Sequence, residues 1–456
     1  MVRHVAVLDI GKTNAKVAVV DLERGNELDQ RTVRNQTVSA RSSYPHYDIE
    51  RIWRFLLDSL RLLHARYRID AVSVTTHGAT AALIGHDGKL ALPVLDYEFG
   101  GPDQTRAEYN EVRPDFSETG SPALPVGLNL GAQLFWLSKT HAAEFENVAS
   151  ILMYPQYWAF RLTGVRANEV TSLGCHTDLW SPHKRDYSAL VDRLHWRDRF
   201  APIKPANEQL GHLSKAVVGE TGLAPGTPVF AGIHDSNASL LPHLNARKEP
   251  FCVVSTGTWV IAMAIGGKAR ELDPERDTLI NVNIYGDPVP SARFMGGREF
   301  EQMTAKGGDC FPDGDDVASV LADGVMILPS VQAGSGPFPH LPSRLVAKRN
   351  PSRREMVVAA SFYLANMTAI CIEMIGSAGD TIIEGPFAGN QFFLKMLQAI
   401  TARSVLTTAG GTTGTSTGAA MLCGGEVPFP KYNRIDPPTD VTSWQHYAQR
   451  WRNEIR

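Results

Sequence analysis

The chain opens on an apolar run, Val5-Ala6-Val7-Leu8, breaks at a polar turn from Asp9 to Asn14 around Gly11, and resumes as Ala15 to Val20. Two β-type runs around a short glycine turn predict a hairpin. A further strand pair is expected over Leu28 to Val38. Ile49, Ile52, Trp53, Leu56, Leu60 and Leu63 then recur at helical spacing, with Asp48 placed to cap the helix start. Ala71 to Thr75 reads as a strand ending at Thr76-His77-Gly78. Strands, helix and strand in this order predict an α/β domain with a mixed sheet.

From Leu130 to Leu162 the pattern is helical, while Pro202 to Pro228, rich in proline and glycine, reads as a surface loop. Val229 to Gly232 is a strand running into Ile233-His234-Asp235-Ser236-Asn237, and Asn237 to Leu244 looks helical. A second hairpin begins at Phe251, with Ser255 to Thr258 as its turn and Val260 to Ile265 as its return strand. Both hairpins share one arrangement: apolar strand, glycine beside threonine, apolar strand. That internal similarity predicts two related α/β cores. Helices over Arg354 to Ile375 and Asn390 to Ala402 follow, then a Gly/Thr-rich loop from Ala409 to Gly418. At 456 residues the chain exceeds one ordinary core. Two domains, 1–240 and 241–456, are expected.

Hydrophobic content of 43% and charged content of 20% are those of a globular protein. The net charge of -3 argues against nucleic acid or an anionic membrane as partner. Five cysteines, Cys175, Cys252, Cys310, Cys371 and Cys423, lie far apart with no C-x-x-C, so neither a disulfide framework nor a thiolate zinc site is indicated. Met1 to His4 runs straight into a strand, leaving no room for a signal peptide. No unbroken apolar run approaches the roughly 18 residues that cross a bilayer. A reduced, soluble, cytoplasmic protein is expected, without nucleic-acid or membrane partner, and a homodimer is left open.

Candidate chemistry sits at the turns. Gly11, Lys12, Thr13, Asn14 and Lys16 offer N–H groups, a hydroxyl and cations suited to phosphate oxygens. Asp9 can hold Mg²⁺ through water. The plain alternative is a surface hairpin with solvated lysines. Thr256, Gly257 and Thr258 form a second such turn, open to close backbone approach. Asp235, at a strand end, suits a general base for an alcohol, against the alternative of a helix N-cap. His77, Gly78, Asp96 and Glu98 end or follow strands where sugar hydroxyls can bond, and Gln156, His176 and Trp180 add further lining. Tyr157, Trp158 and Trp180 read equally as core aromatics. Glu384 to Asn390, with Gly389 and Asn390 opening a helix, suits an adenosine or phosphate, or is a plain helix start. Neither a Walker A sequence nor G-x-G-x-x-G occurs.

In this order the motifs resemble those of the FGGY carbohydrate kinases, over Val5 to about Pro430. Leu8 to Lys16 resembles the family's first phosphate motif, Gly232 to Asp235 the segment with the catalytic aspartate, and Ser255 to Thr258 the second phosphate motif. Gly385 to Asn390 resembles the adenosine motif, Ser416 to Ala420 the helix after it, and Gly297 a glycine near the nucleotide. The resemblance implies two actin/Hsp70-like (ribonuclease H-like) domains with an interdomain cleft. It also implies ATP and Mg²⁺ as cofactors, Asp235 as base, and a small sugar as acceptor. L-fuculose and L-rhamnulose kinases look most similar. The chain departs from the family pattern at Lys12, where a threonine is usual, at Gln133, where a lysine is usual, and over Leu95 to Phe99, which lacks the usual tryptophan and arginine. The alternatives are a nucleotide-binding switch like actin or Hsp70, and a sugar-binding regulator without kinase activity.

Overall fold

The computed structural model describes residues 2–39, 42–304, 311–408, 414–425 and 427–455. Cys310 and residues 409–413 of the Gly/Thr-rich loop lie outside them. The chain forms two compact units. The first is Met1–Ala246, Ile280–Pro288 and Thr412–Phe429, and the second is Arg247–Leu279, Val289–Gly411 and Pro430–Arg456.

In the first unit the expected hairpin forms, His4–Ile10 pairing antiparallel with Asn14–Asp21. Asn26–Arg34 extends it antiparallel on one side. On the other, Ala71–Thr76 adds in parallel, followed by Pro228–Phe230 in parallel and Gln209–His212 antiparallel. Alternation along the first strand sends Ala6, Leu8 and Ile10 to one buried cluster and Val5 and Val7 to another, so the sheet is covered on both faces. The helix Ile49–His64 covers the first face, and Asp48 caps it by accepting the Arg51 N–H at 3.1 Å. The helices Asp235–Ala246 and Gly414–Met421 supply the other face with Ala238, Leu241, Ala419 and Ala420. These two helices meet at a glycine: a Cβ on Gly418 would lie 1.7 Å from the Ala238 carbonyl oxygen.

Four local expectations change. Of the loop expected over Ala409 to Gly418, the described part, from Gly414 on, is the start of the helix Gly414–Met421. Thr37–Val38 pairs with His46–Tyr47 and not with the strand before it. The helical stretch over 130–162 is split by a strand, Val148–Met153, paired with Ala81–Gly85. A mostly apolar run of six residues is too short for periodicity to tell strand from helix. The span 202–228 holds the edge strand Gln209–His212 and the helix Lys215–Thr221, which Ser214 caps. Its prolines and glycines bound these elements and do not interrupt them. Besides the boundary expected near residue 240, residues 280–288 and the described part of 414–429 group by contact with the first unit.

The second unit repeats the plan. Phe251–Thr256 pairs antiparallel with Val260–Ile265, and Pro288–Phe294 extends the hairpin. Asp380–Glu384 and then Val405–Thr408 add in parallel, with Tyr432–Arg434 antiparallel at the edge. Strand order and direction match the first sheet, which gives the internal similarity a structural basis. The helix Arg353–Met374 starts with a capping box between Ser352 and Glu355. It is long and apolar enough to cross a membrane by composition, yet 83% of its most apolar window is buried within the protein.

Candidate active site

Period-two alternation puts Asp9 on the same face of its strand as Val5 and Val7, the face covered by the helix that starts at Asp235. Lys16 stands opposite Asp9 across the hairpin. Its ammonium lies 3.7 Å from the Asp9 carboxylate and 3.0 Å from Glu27. Burial pushes Asp9 up to about 6; Lys16 opposes this, and the carboxylates of Asp235 and Glu27 add to it. Asp9 and Asp235 thus feel one another's charge, a repulsion that a cation would relieve.

Asp235 follows the two-residue strand Ile233–His234, which lies parallel to Thr75 and Thr76. Its Oδ1 accepts from the Ser236 N–H at 2.6 Å and the Ser236 hydroxyl at 3.3 Å, and His234 Nε2 lies 3.2 Å away. All three contacts fall on Oδ1, which leaves Oδ2 without a partner among the described residues and available to an incoming group. The side chain is 35% exposed.

His77 is buried, with Nδ1 against the Gly78 carbonyl at 2.9 Å and Nε2 without a partner among the described residues. Burial drives it down to about 4, so the ring is neutral at pH 7. The rings of Tyr47, Tyr97 and Tyr154 stand 5.2–5.4 Å from it. The Lys12 ammonium does not point to solvent. It donates to Asp96, lies 3.3 Å from Glu98, and sits 4.8 Å above the ring of Tyr97 and 5.4 Å from that of Tyr47. Lys12, His77, Asp96 and Glu98 are therefore one cluster, joined by tyrosines of which only Tyr97 lies in a motif that the sequence singles out. Gly11, Thr13 and Asn14 form the turn itself: the Gly11 N–H donates to the Asn14 carbonyl at 2.9 Å, and Thr13 and Asn14 are exposed.

Other expected residues take supporting places. Gln156 is fully buried and donates to the carbonyls of Ala231 and Gly232 at 2.9 and 3.2 Å, fixing the bend ahead of Asp235. Its Oε1 has no partner among the described residues. His176 has Nδ1 2.8 Å from the Leu128 carbonyl. Gly78 lies against His234 and Cys175. The Cys175 sulfur is 3.7 Å from His234 Nε2. Burial alone would raise this thiol, but the imidazoles of His176 and His234 outweigh it and hold it down. Burial would lower His234, but Cys175 and Asp235 hold it up. Glu169, pushed up to about 7 by burial, accepts from the Thr171 hydroxyl at 2.5 Å. Tyr47, Tyr154, Cys175, His234 and Glu169 are absent from the sequence-derived site. Only the nearness in sequence of Tyr154 to Gln156, Cys175 to His176 and His234 to Asp235 could have drawn attention to any of them.

In the second unit the turn after Phe251–Thr256 is tied down by its own threonine. The Thr256 hydroxyl donates to the Glu384 carbonyl and accepts the Phe387 N–H, the latter at 3.1 Å. Thr258 is exposed, and a Cβ on Gly257 would meet only the Trp259 carbonyl, at 3.9 Å. Gly297 is crowded: a Cβ there would lie 2.0 Å from the Gly257 carbonyl oxygen. Gly257 and Gly297 are therefore brought together. Asn390 caps the helix Gln391–Thr401 through the Phe393 N–H at 3.0 Å, and its amide donates to Ser361 at 2.9 Å. Gly389 beside it is exposed.

Among the described residues no three His, Cys, Asp or Glu side chains converge as a metal cage. Mg²⁺ does not need one, since it keeps several waters and uses one or two carboxylates together with substrate phosphates. The partly frustrated pair Asp9 and Asp235 fits that requirement.

The model of the N-terminal domain of the FGGY family of carbohydrate kinases matches residues 4–242, and that of the carbohydrate kinase FGGY C-terminal domain matches residues 248–431. An L-fuculokinase from Salmonella typhi is 27% identical over 274 residues, covering 58% of this chain and 57% of that relative. The chain thus aligns with little more than half the length of this curated relative. A carbohydrate kinase structure from Novosphingobium aromaticivorans is 38% identical, with a TM-score of 0.92 over 100% of this chain and 98% of that one. A gluconate kinase structure from Lactobacillus acidophilus shares the fold at 16% identity, with a TM-score of 0.81 over 100% of this chain and 98% of that one.

Proposed function

Because the chain belongs to the FGGY family of carbohydrate kinases, we propose that it transfers the γ-phosphate of ATP to a hydroxyl of a small sugar, a ketose such as L-fuculose or L-rhamnulose. The observation that carries this is the state of Asp235. One carboxylate oxygen is held by Ser236 and His234 while the other has no partner among the described residues, at the end of a strand paired with the one that leads into the His77 turn. In the reaction Oδ2 of Asp235 takes the proton of the sugar hydroxyl as its oxygen bonds to phosphorus and ADP leaves. His77 Nε2, neutral and unpartnered, and Asp96 bind the remaining hydroxyls, and Tyr47 and Tyr97 offer faces to the sugar's C–H edges. Gln156 holds the bend that aims Asp235.

In the C-terminal region Gly257, Thr258, Gly297 and Gly389 are assigned to the nucleotide, with Thr258 and Gly389 exposed; in the N-terminal region Gly11, Thr13 and Asn14 are assigned to phosphate. Asp9 would hold Mg²⁺ through water, and the ion supplies neutralisation of phosphate charge when bound. Residues 1–240 on this reading carry the acceptor and the base, and 241–456 the nucleotide. A cytoplasmic location, where ATP is drawn from the common pool, belongs to the same proposal.

The test is ADP release across L-fuculose, L-rhamnulose, xylulose, ribulose, erythrulose and glycerol, with Asp235→Asn as control. An acceptor that stimulates wild type should lose roughly 10²–10⁴-fold in kcat with the variant, while ATP binding persists. Undiminished turnover would remove Asp235 from the mechanism. Failure of every acceptor to stimulate ADP release would favour a nucleotide switch.

A further inference from the structure

We propose that Lys12, Asp96 and Glu98 form a charge-balancing cluster that restricts the acceptor to uncharged sugars, with Lys12 serving the acceptor side and not the nucleotide. The proposal rests on the reading of Asp235 as base and adds the charge class of what it acts on. The fold leaves that class open, since a gluconate kinase shares it.

The argument is an account of charge. Lys12 is only 21% exposed, and its ammonium meets two carboxylates and two tyrosine faces. One cation against Asp96 and Glu98 leaves the cluster one negative charge in excess. Of the other cations described around the site, Lys16 is matched by Asp9 and Glu27, and His234 by Cys175 and Asp235. His77 is neutral. A sugar acid would therefore bring its carboxylate toward excess negative charge with no unmatched cation beside Lys12 among the described residues; the repulsion is felt most at Asp96, 10% exposed, and is weakened by water at Glu98, 65% exposed. Hydroxyls meet no such penalty, because the Asp96 carboxylate accepts from them and His77 Nε2 is unpartnered. Swinging Lys12 out to a phosphate would leave Asp96, only 10% exposed at its side chain, without its counter-ion.

The test uses the full chain as wild type, Lys12→Met and Glu98→Gln. Binding is read by thermal shift without nucleotide and turnover by ADP release, with L-fuculose, L-rhamnulose and D-xylulose as uncharged probes and D-gluconate as the charged one. At least one uncharged sugar should raise the wild-type Tm while gluconate does not. Glu98→Gln should narrow the preference over gluconate by about tenfold. Lys12→Met should raise the acceptor KM by about tenfold and hold the KM for ATP within about twofold. Equal shifts with gluconate, no shift with any uncharged sugar, or a Lys12→Met variant that moves only the KM for ATP would each overturn the proposal. Charge-selective binding without any acceptor-stimulated ADP release would instead sink the kinase reading and leave this one standing.

Discussion

Asp9 and Gly257 show how single positions trade stability against ligand contact. The Asp9 carboxylate is more costly to ionise in the folded chain than in water, its value standing at about 6 against 3.8. The folded state therefore binds this proton more tightly than the unfolded state, and the group weakens the fold as pH rises through that window. Asp9→Asn is expected to raise stability by about 1 kcal/mol at neutral pH, discounted for a side chain one-fifth exposed, with the gain vanishing below about pH 4. Urea melts at pH 4 and pH 7.5 check the sign, and the same variant should lose activity. Gly257 is the converse case. A side chain there meets open space, whereas one at Gly297 strikes the Gly257 carbonyl. Gly257→Val should keep its urea midpoint while raising the KM for ATP about tenfold or more, the loss of a close phosphate approach. An unchanged KM would show that this turn does not meet the nucleotide.

Elements place these residues, and two contacts do most of the placing. The helix that starts at Asp235 rests on Gly414–Met421 through the Gly418 approach to Ala238. Gly418→Ala should lower stability by on the order of 2–3 kcal/mol through backbone overlap. It should also lower kcat, since the base moves with its helix. In the second unit Ser352 and Glu355 cap the core helix, and Arg349 and Ser319 hold Glu355 well below the usual carboxylate range. Ser352→Ala should lose about 1 kcal/mol. Glu355 has the opposite linkage to Asp9: its depressed value contributes stability above the ordinary Glu range that is lost as pH falls toward the folded value. Long helices with caps were legible from sequence, as at Asp48 and Asn390, because local spacing and a polar cap determine them. The strand Val148–Met153 was not, because its partner Ala81–Gly85 is distant in sequence.

At the scale of the molecule, the chain's return to the first unit has a measurable consequence. Ala419, Ala420, Leu422 and Cys423 belong to the same buried cluster as Val5 and Val7. A fragment ending at residue 246 lacks them, and it should expose apolar surface, bind a hydrophobic dye and resist cooperative folding; a sharp, two-state melt of that fragment would contradict this. By itself the sequence determined the two hairpins, their repetition, the strand that delivers Asp235 and the family pattern, all of which rest on short-range alternation and glycine placement. It could not decide what each polar side chain in those motifs touches. Lys12 was read as a phosphate ligand, yet its ammonium is engaged by Asp96 and Glu98, 84 and 86 positions along the chain. Thr256 and Asn390 were read beside it, yet both are hydrogen-bonded to the protein's own backbone. A polar group's partner is set by which distant strands and turns come within about 3 Å of it, and only the tertiary structure brings them there.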